Sequence, residues 1–169
     1  MILGLSVENF TLLHTVISLI GILSGIVVLF GMLEGRNSPA MTALFLATTV
    51  LTSVTGFLFP FTSLLPSHIV GIISLVVLAV TIAALYVFRL SGAWRLIYVI
   101  GAVLSLYLNA FVGVVQSFQK LSFLQPLAPT QSEPPFIIAQ TAVLLIFVVL
   151  GFLAVRRFHP TGFGRGLAA

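Results

Sequence analysis

The stretch PFIIAQTAVLLIFVVLGFLAV, residues 135–155, carries no charged side chain anywhere along its length. A bilayer core about 30 Å thick is crossed by roughly 20 helical residues. The stretch does not alternate apolar and polar residues, as the strands of a membrane barrel would, and a helix satisfies its own backbone hydrogen bonds. It therefore predicts a transmembrane helix over 136–155.

Four further stretches have the same character and lie at 11–33, 41–60, 67–88 and 94–118. Short polar or proline-containing connections separate them at 34–40, 61–67 and 89–94, and a longer loop covers 119–135. We predict an all-α integral membrane protein, a bundle of five transmembrane helices. It forms a single domain over 1–158, followed by a mobile tail over 159–169.

Composition supports this class of protein. Hydrophobic residues make up 60% of the chain and charged residues 6%, and the mean hydropathy is +1.27. A soluble domain has roughly a quarter of its residues charged. The absence of cysteine excludes disulfides, thiol redox centres and thiolate metal sites.

The cations predict an orientation. If the helices alternate in direction, one side carries all six arginines and the other carries only Lys120; the arginines are Arg36, Arg89, Arg95, Arg156, Arg157 and Arg165. The positive-inside rule makes the arginine side cytoplasmic, which places the N-terminus outside and the C-terminus in the cytoplasm. The isoelectric point near 10.4 then reflects topology and contact with lipid headgroups, and does not indicate a nucleic-acid partner.

Polar and small residues form stripes along three helices. The stripes comprise His14, Ser18, Gly21 and Gly25 in the first span, Thr48, Thr52 and Thr55 with Gly56 at their edge in the second, and Gly101, Ser105, Asn109, Gly113 and Gln116 in the fourth. Small and hydroxyl residues are typical of helix packing in membranes, which is the favoured interpretation. The aromatic residues Phe59, Phe61, Trp94 and Tyr98 are predicted to anchor the helices at the membrane surfaces.

Five polar residues suggest a binding site. Alternating helices place them all in the outer leaflet, and intramembrane polar side chains usually face the bundle interior; they are His14, His68, Asn109, Gln116 and Gln140. The two histidines on different helices would suit the axial ligation of haem b. A quinone headgroup, with Tyr107 or Gln116 as donor, is the alternative cofactor. No metal site is predicted, because too few ligands accompany the histidines.

The loop before the fifth span has two interpretations. Thr130 and Glu133 have capping-box spacing, but Pro134 and Pro135 favour a helix that begins at one of the prolines, with Glu133 extended before it. Helix entry is therefore the simpler interpretation. The length of the loop leaves a second one open, in which it folds over an outward-facing cavity and Glu133 contributes a charge there.

Catalysis is not indicated. The chain has no aspartate, and Glu8, Glu34 and Glu133 are divided between the two sides. A transporter would normally carry an ionisable residue at mid-depth, which these spans lack. We predict a multi-pass membrane protein that acts as a non-catalytic membrane subunit or a membrane-embedded binding protein. A small redox carrier and a small transporter are the alternatives, and lipid, other membrane subunits or further copies of the chain are the expected partners.

Four stretches carry a resemblance to a known group: LFLATTVLTSVTGFLFPF at 44–61, PSHIVG at 66–71, YLNAFVGVVQSFQK at 107–120 and LAPTQSEPPF at 127–136. The chain resembles small multispanning bacterial inner-membrane proteins without an assigned activity. The resemblance implies a location in the bacterial cell inner membrane and brings no catalytic residues.

Overall fold

The computed structural model describes residues 1–60 and 66–160. In these ranges the fold consists of five α-helices: α1 (Val7–Leu33), α2 (Pro39–Gly56), α3 (Pro66–Ile82), α4 (Trp94–Lys120) and α5 (Pro134–Arg157). A π-helical turn, Ala83–Val87, extends α3, and a short 3-10 turn, Gln125–Leu127, precedes α5. Apart from one isolated bridge between Ile2 and Leu5, these ranges contain no β-structure. The predicted all-α class and the count of five spans are confirmed.

One end of the bundle collects the arginines. Gly35, just after α1, lies against the Arg157 carbonyl at the end of α5. Arg95 at the start of α4 donates hydrogen bonds to the carbonyls of Val155, at 3.0 Å, and Phe158, at 2.7 Å. These bonds satisfy carbonyl groups that a helix end leaves without partners. We call this end, which carries Arg36, Arg89, Arg95, Arg156 and Arg157, the Arg end.

The opposite end carries Lys120 and is called the Lys end. Here His14 of α1 meets Thr55 near the end of α2, with 2.8 Å between Nδ1 and Oγ1. The ring of Phe118, near the end of α4, packs edge-on against Phe136 at the start of α5, with 5.5 Å between centroids. Successive helices therefore run in opposite directions, which is the alternation that the assignment of the cations to two sides assumed.

The first helix begins four residues earlier than predicted, at Val7 instead of residue 11. The cause is a helix cap at Ser6, whose hydroxyl accepts a hydrogen bond from the Asn9 backbone N–H at 3.2 Å, with Glu8 in the first turn. His14 therefore lies about two turns inside α1 instead of scarcely one.

The other boundaries also shift. The second helix ends at Gly56, before the predicted residue 60, where Phe57 and Leu58 bond to carbonyls only three residues back. The fourth and fifth helices each continue two residues further than predicted, to Lys120 and Arg157. Phe61, most of the second connection, Arg165 and the predicted tail beyond residue 160 lie outside the described residues.

The helix predicted over 67–88 is not α-helical to its end, because Ala83–Val87 form a π-helical turn. The π-helical turn ends where Phe88 N–H bonds to the Ala83 carbonyl at 2.9 Å, and Arg89 and Leu90 both adopt positive φ. The Phe88 ring then stacks on Trp94 with 3.7 Å between centroids. The stack closes the turn that sends α4 back along α3.

Glycines let the helices approach closely at two levels of the core. A Cβ on Gly25 of α1 would lie 2.6 Å from Leu106 Cδ1 of α4 and 2.8 Å from the Phe45 ring of α2. A Cβ on Gly101 of α4 would overlap Thr81 of α3. The stripes in α1 and α4 therefore do face other helices, as the packing interpretation predicts.

The outer surface of the bundle is apolar. All five helices are long and apolar enough to cross a membrane, and large hydrophobic side chains are exposed along each of them. The fifth helix is the most peripheral, since its only buried residue is Ala154. Exposed apolar surface of this extent fits a bilayer environment and a multi-pass membrane protein.

A pair of glycine substitutions in α4 tests the packing. We expect Gly101→Ala to lower the free energy of unfolding by about 1–3 kcal/mol, because the methyl group overpacks the contact with Thr81. Gly113→Ala is the matched control: its Cβ would make an ordinary 3.6 Å contact with Ile22, and alanine favours the helix by about 0.5–1 kcal/mol. Unfolding in mixed micelles, followed by circular dichroism, measures both. Equal stability of the two variants would contradict the close α3–α4 contact.

Candidate polar site in the bundle core

Asn109 lies at the centre of the bundle. It sits near the middle of α4 and faces Gly21, near the middle of α1. Its side chain is 8% exposed. The sequence-based prediction placed Asn109 in the outer leaflet, whereas the contact with Gly21 places it close to mid-depth, where a polar side chain is most costly.

Three polar atoms from two helices surround one point beside Gly21. A Cβ placed on this glycine would lie 3.0 Å from Asn109 Nδ2, 3.3 Å from Thr48 Oγ1 and 3.3 Å from Thr49 Oγ1. Any larger residue at position 21 would therefore push into this group of polar atoms. The small-residue stripe of α1 makes room for the polar groups of α2 and α4.

The Asn109 amide nitrogen has no hydrogen-bond partner in the described structure. Both threonine hydroxyls donate to carbonyls of their own helix, Thr48 to Leu44 and Thr49 to Phe45, each at 2.7 Å. Each hydroxyl oxygen keeps acceptor capacity on its other side. The point beside Gly21 thus combines unused amide donors with hydroxyl acceptors.

Polar groups continue from this point toward both ends. Thr52 shares the face of α2 that carries Thr48 and Thr55 by helical spacing, and its buried hydroxyl oxygen has no partner within the described residues. Toward the Arg end, the hydroxyl groups of Tyr98 and Thr42 lie beside one another, and neither makes a well-formed hydrogen bond within the described residues. We call the residues His14, Thr42, Thr48, Thr49, Thr52, Thr55, Tyr98 and Asn109 the polar seam.

Tyr98 is not the surface anchor that the sequence suggested. It is 1% exposed, and its ring packs against Phe158 with 5.8 Å between centroids. At about 100° per residue, Tyr98, Ser105, Asn109 and Gln116 fall within about 40° of one another around α4. The helical spacing thus indicated that Tyr98 is buried. Its position near the end of a helix had suggested a surface anchor instead.

His14 sits at the Lys end of the seam with a defined tautomer. The Thr55 hydroxyl donates to the Leu51 carbonyl at 2.7 Å, so it can only accept from His14 Nδ1 at 2.8 Å. The hydrogen-bond network therefore assigns the proton to Nδ1 and leaves the lone pair of Nε2 for a ligand. The Phe59 ring packs edge-on against the imidazole at 5.3 Å.

His68 has different neighbours from His14. It is buried, and its imidazole packs against Phe57 with 5.6 Å between ring centroids. Phe57 and Phe59 both belong to the short segment that follows α2, so the two histidines contact two rings of the same segment. The haem prediction needs the imidazoles to face each other across one ring system.

Gln140 is on the other side of α4 from Asn109. Its amide donates to the Phe111 carbonyl at 3.2 Å, and residue 111 lies about 200° around the helix from residue 109. Tyr107, the other proposed quinone donor, packs against Phe111 and Phe147 on that side too.

Gln116 is half-buried on the same face as Asn109. Of the five predicted site residues, the structure therefore brings Asn109, Gln116 and His14 to the α1–α2–α4 side.

The loop before α5 is held in place by Glu133. Its carboxylate accepts hydrogen bonds from the Thr130 hydroxyl at 2.8 Å and from the backbone N–H groups of Thr130 and Ser132, each at 3.1 Å. Glu133 itself is the extended N-cap and Pro134 the first helical residue, as predicted. Thr130 and Glu133 therefore do contact each other, but their hydrogen bonds close the loop and do not cap the helix.

The loop also folds back over the end of α4. Gln131 donates to the Val115 carbonyl at 3.1 Å, and a cavity of ≈ 220 Å³ lies between the loop and α4, lined in part by Phe118, Ala128 and Thr130. Val115 is about 120° around α4 from Asn109. The loop therefore covers the end of α4 beside the polar seam, not the Asn109 site.

A second cavity is an apolar groove of ≈ 470 Å³ on the lipid-facing side of α2, lined by Ala43, Leu46, Ala47, Val50, Leu51, Ile82 and Tyr86. Neither cavity includes a histidine of the predicted haem site.

Comparisons with protein-family models, curated proteins and solved structures find no match for this chain.

Glu133 gives the loop a pH dependence. Desolvation raises the pKa of the Glu133 carboxyl, but the hydrogen bonds from Thr130 and Ser132 together outweigh it and hold the pKa below its usual value. A lowered pKa means that the loop is stabilised above the usual carboxyl pKa and loses that stabilisation as the pH falls through the lowered value. We expect the hydrogen-exchange protection factors of the Thr130 and Ser132 amides to fall in that acidic range. Glu133→Gln should remove the pH dependence and Glu8→Gln should keep it; protection that does not change with pH in the wild type would contradict the role of Glu133.

Asn109 is expected to lower the stability of the ligand-free protein. We predict that Asn109→Leu raises the free energy of unfolding by about 1–3 kcal/mol, because it removes a buried donor without a partner. Gln116→Leu, on the same face but partly exposed, serves as the control and should change stability less. Unfolding in ligand-free mixed micelles measures the difference. A destabilised Asn109→Leu variant would show that the amide has a structural partner within the bundle.

Proposed function

We propose that the protein is a non-catalytic, membrane-embedded binding protein, and that its site is the polar seam at Asn109. The observation that supports this is the unpaired, 8% exposed amide at mid-depth between α1, α2 and α4. A buried polar group in a membrane costs several kcal/mol when it lacks a partner. A site that binds a ligand retains such a group because the ligand completes its hydrogen bonds.

The chemistry of the seam selects the ligand. The amide of Asn109 offers donors, so the ligand must present an acceptor oxygen, and the surrounding helices exclude a charged molecule because no seam residue carries a formal charge. A quinone carbonyl on a lipid-soluble headgroup meets both requirements. His14 lies at the Lys end of the seam. Its Nε2 would accept a hydrogen bond from a hydroxyl group of the same class of ligand.

Haem b fits the geometry less well. His14 has the Nδ1 hydrogen bond that orients many ligating imidazoles. His68, however, packs on Phe57, while Phe59 covers His14, so aromatic rings lie against both imidazoles. The contacts around the histidines favour a quinone over a haem held between His14 and His68.

A role as a membrane subunit is the second candidate. The fifth helix is nearly all exposed, with Ala154 its only buried residue, and it packs mainly on α4. A helix in this position presents most of its circumference to lipid or to another membrane protein. Native mass spectrometry of the protein extracted in mild detergent distinguishes a monomer from a homo-oligomer or a complex with other subunits.

We further propose that the Arg end is cytoplasmic and that the membrane is a bacterial inner membrane. The five described arginines at one end and Lys120 at the other support this orientation through the positive-inside rule. The Lys end, with His14 and the loop before α5, would then face outward, which makes the seam accessible from the outer leaflet.

The binding function is tested by what the protein carries. We expect the protein purified in mild detergent to retain quinone, measured by solvent extraction and chromatography, and to show no Soret band when oxidised or reduced with dithionite. Asn109→Leu should lose the quinone. Gln140→Leu, which removes an intramembrane amide of α5, should retain it because Gln140 bonds to Phe111 on the far side of α4.

The alternatives give different results. A Soret band lost in both His14→Ala and His68→Ala would establish the haem function in place of the quinone. Equal quinone content in the wild type and the Asn109→Leu variant would contradict the proposed site.

A further inference from the structure

The polar seam is arranged in levels along the bundle. Near the Lys end, His14 and Thr55 are hydrogen-bonded. At mid-depth, Asn109 and the two threonine hydroxyls surround Gly21. Nearest the Arg end, the hydroxyls of Tyr98 and Thr42 lie beside one another, both nearly fully buried.

An apolar level interrupts this series. One turn beyond Gly21, Gly25 is in close contact with the Leu106 side chain and the Phe45 ring, and both of these are 1% exposed. Apolar constrictions of this kind close pores by excluding water. The seam is thus divided into a Lys-end compartment and an Arg-end compartment, with Phe45 and Leu106 between them.

Unpaired polar atoms are present in both compartments. In the described residues, six buried side-chain atoms have no hydrogen-bond partner, and four of them belong to the seam: Thr42 Oγ1, Thr52 Oγ1, Tyr98 OH and Asn109 Nδ2. Helix packing alone would bury methyl groups or paired hydroxyls at these positions. Buried groups of this kind are typically satisfied by internal water.

We infer that the polar seam is a pathway for water and small uncharged polar solutes, which Phe45 and Leu106 close against Gly25. The inference rests on the proposed site, because Asn109 would be the deepest polar contact on the Lys side of the constriction. Formally charged solutes are excluded, since the seam offers no opposite charge to replace their hydration. On the Arg side the pathway reaches Tyr98, whose ring packs beside Phe158.

The absence of cysteine makes a direct test practicable. Osmotic water permeability is measured by stopped-flow light scattering on proteoliposomes that contain the full chain. We expect Leu106→Ala to raise permeability several-fold over the wild type. Leu104→Ala, on the exposed face of the same helix, is the matched control and should match the wild type. Leu106→Val provides a milder opening if the alanine variant fails to fold, as judged by circular dichroism and gel filtration.

A cysteine block locates the water pathway. Mercuric chloride should reduce the raised permeability in Thr52→Cys/Leu106→Ala, because Thr52 lies in the Lys-end compartment. It should have no effect in Leu51→Cys/Leu106→Ala, whose cysteine faces lipid. Both results together support the pathway.

The remaining outcomes overturn the pathway. If folded Leu106→Ala and Leu106→Val variants are no more permeable than Leu104→Ala, the constriction does not close a pathway. If permeability rises but mercury acts equally at residues 51 and 52, water crosses elsewhere. Quinone retention that depends on Asn109 would in either case leave the binding function standing, so the two proposals fail separately.

Discussion

Three helices of this bundle meet at a buried side-chain amide whose nitrogen has no hydrogen-bond partner within the described residues. Asn109 Nδ2 faces two hydroxyls that already donate to their own helices, and no other protein group of the described residues completes its hydrogen bonds. In hydrocarbon, where water cannot compensate, such a group is costly. The bundle keeps it by bringing three helices together around Gly21, and a protein that needed only packing would place an apolar side chain there.

Close packing and polarity are coupled in this bundle. The glycines at 21 and 25 are one turn apart on α1, yet the first meets polar atoms and the second meets Phe45 and Leu106. The same stripe of small residues therefore supports both a polar level and an apolar seal. Arg95 and the Phe88–Trp94 stack fix the Arg end of α4, which holds Asn109 at its depth between α1 and α2.

Much of the fold follows from the sequence because the bilayer imposes a length and a composition on each span. The apolar run at 136–155 and its four counterparts predict five helices, and the cations predict an orientation once the helices are taken to alternate. Boundaries were less predictable, since they depend on local hydrogen bonds such as the Ser6 cap, which starts α1 early, and on the π-helical turn that follows α3. The neighbours of the predicted site residues were less predictable still. Helical spacing identifies the stripe of Asn109 and Gln116, but the neighbours of Gln140 and His68 depend on how the helices rotate against one another. Tyr98 looked like a surface anchor only because it lies near a helix end.

The most direct measurement is the environment of the Asn109 side-chain amide in lipid nanodiscs. Selective ¹⁵N-asparagine labelling gives signals from Asn9, Asn37 and Asn109, and the Asn109→Leu variant assigns the last of them. We expect magnetisation transfer between the Asn109 amide protons and either water or a bound ligand. An amide that bonds only to the Thr48 or Thr49 hydroxyl, with no transfer from water or ligand, would make Asn109 a packing residue and contradict the proposed site.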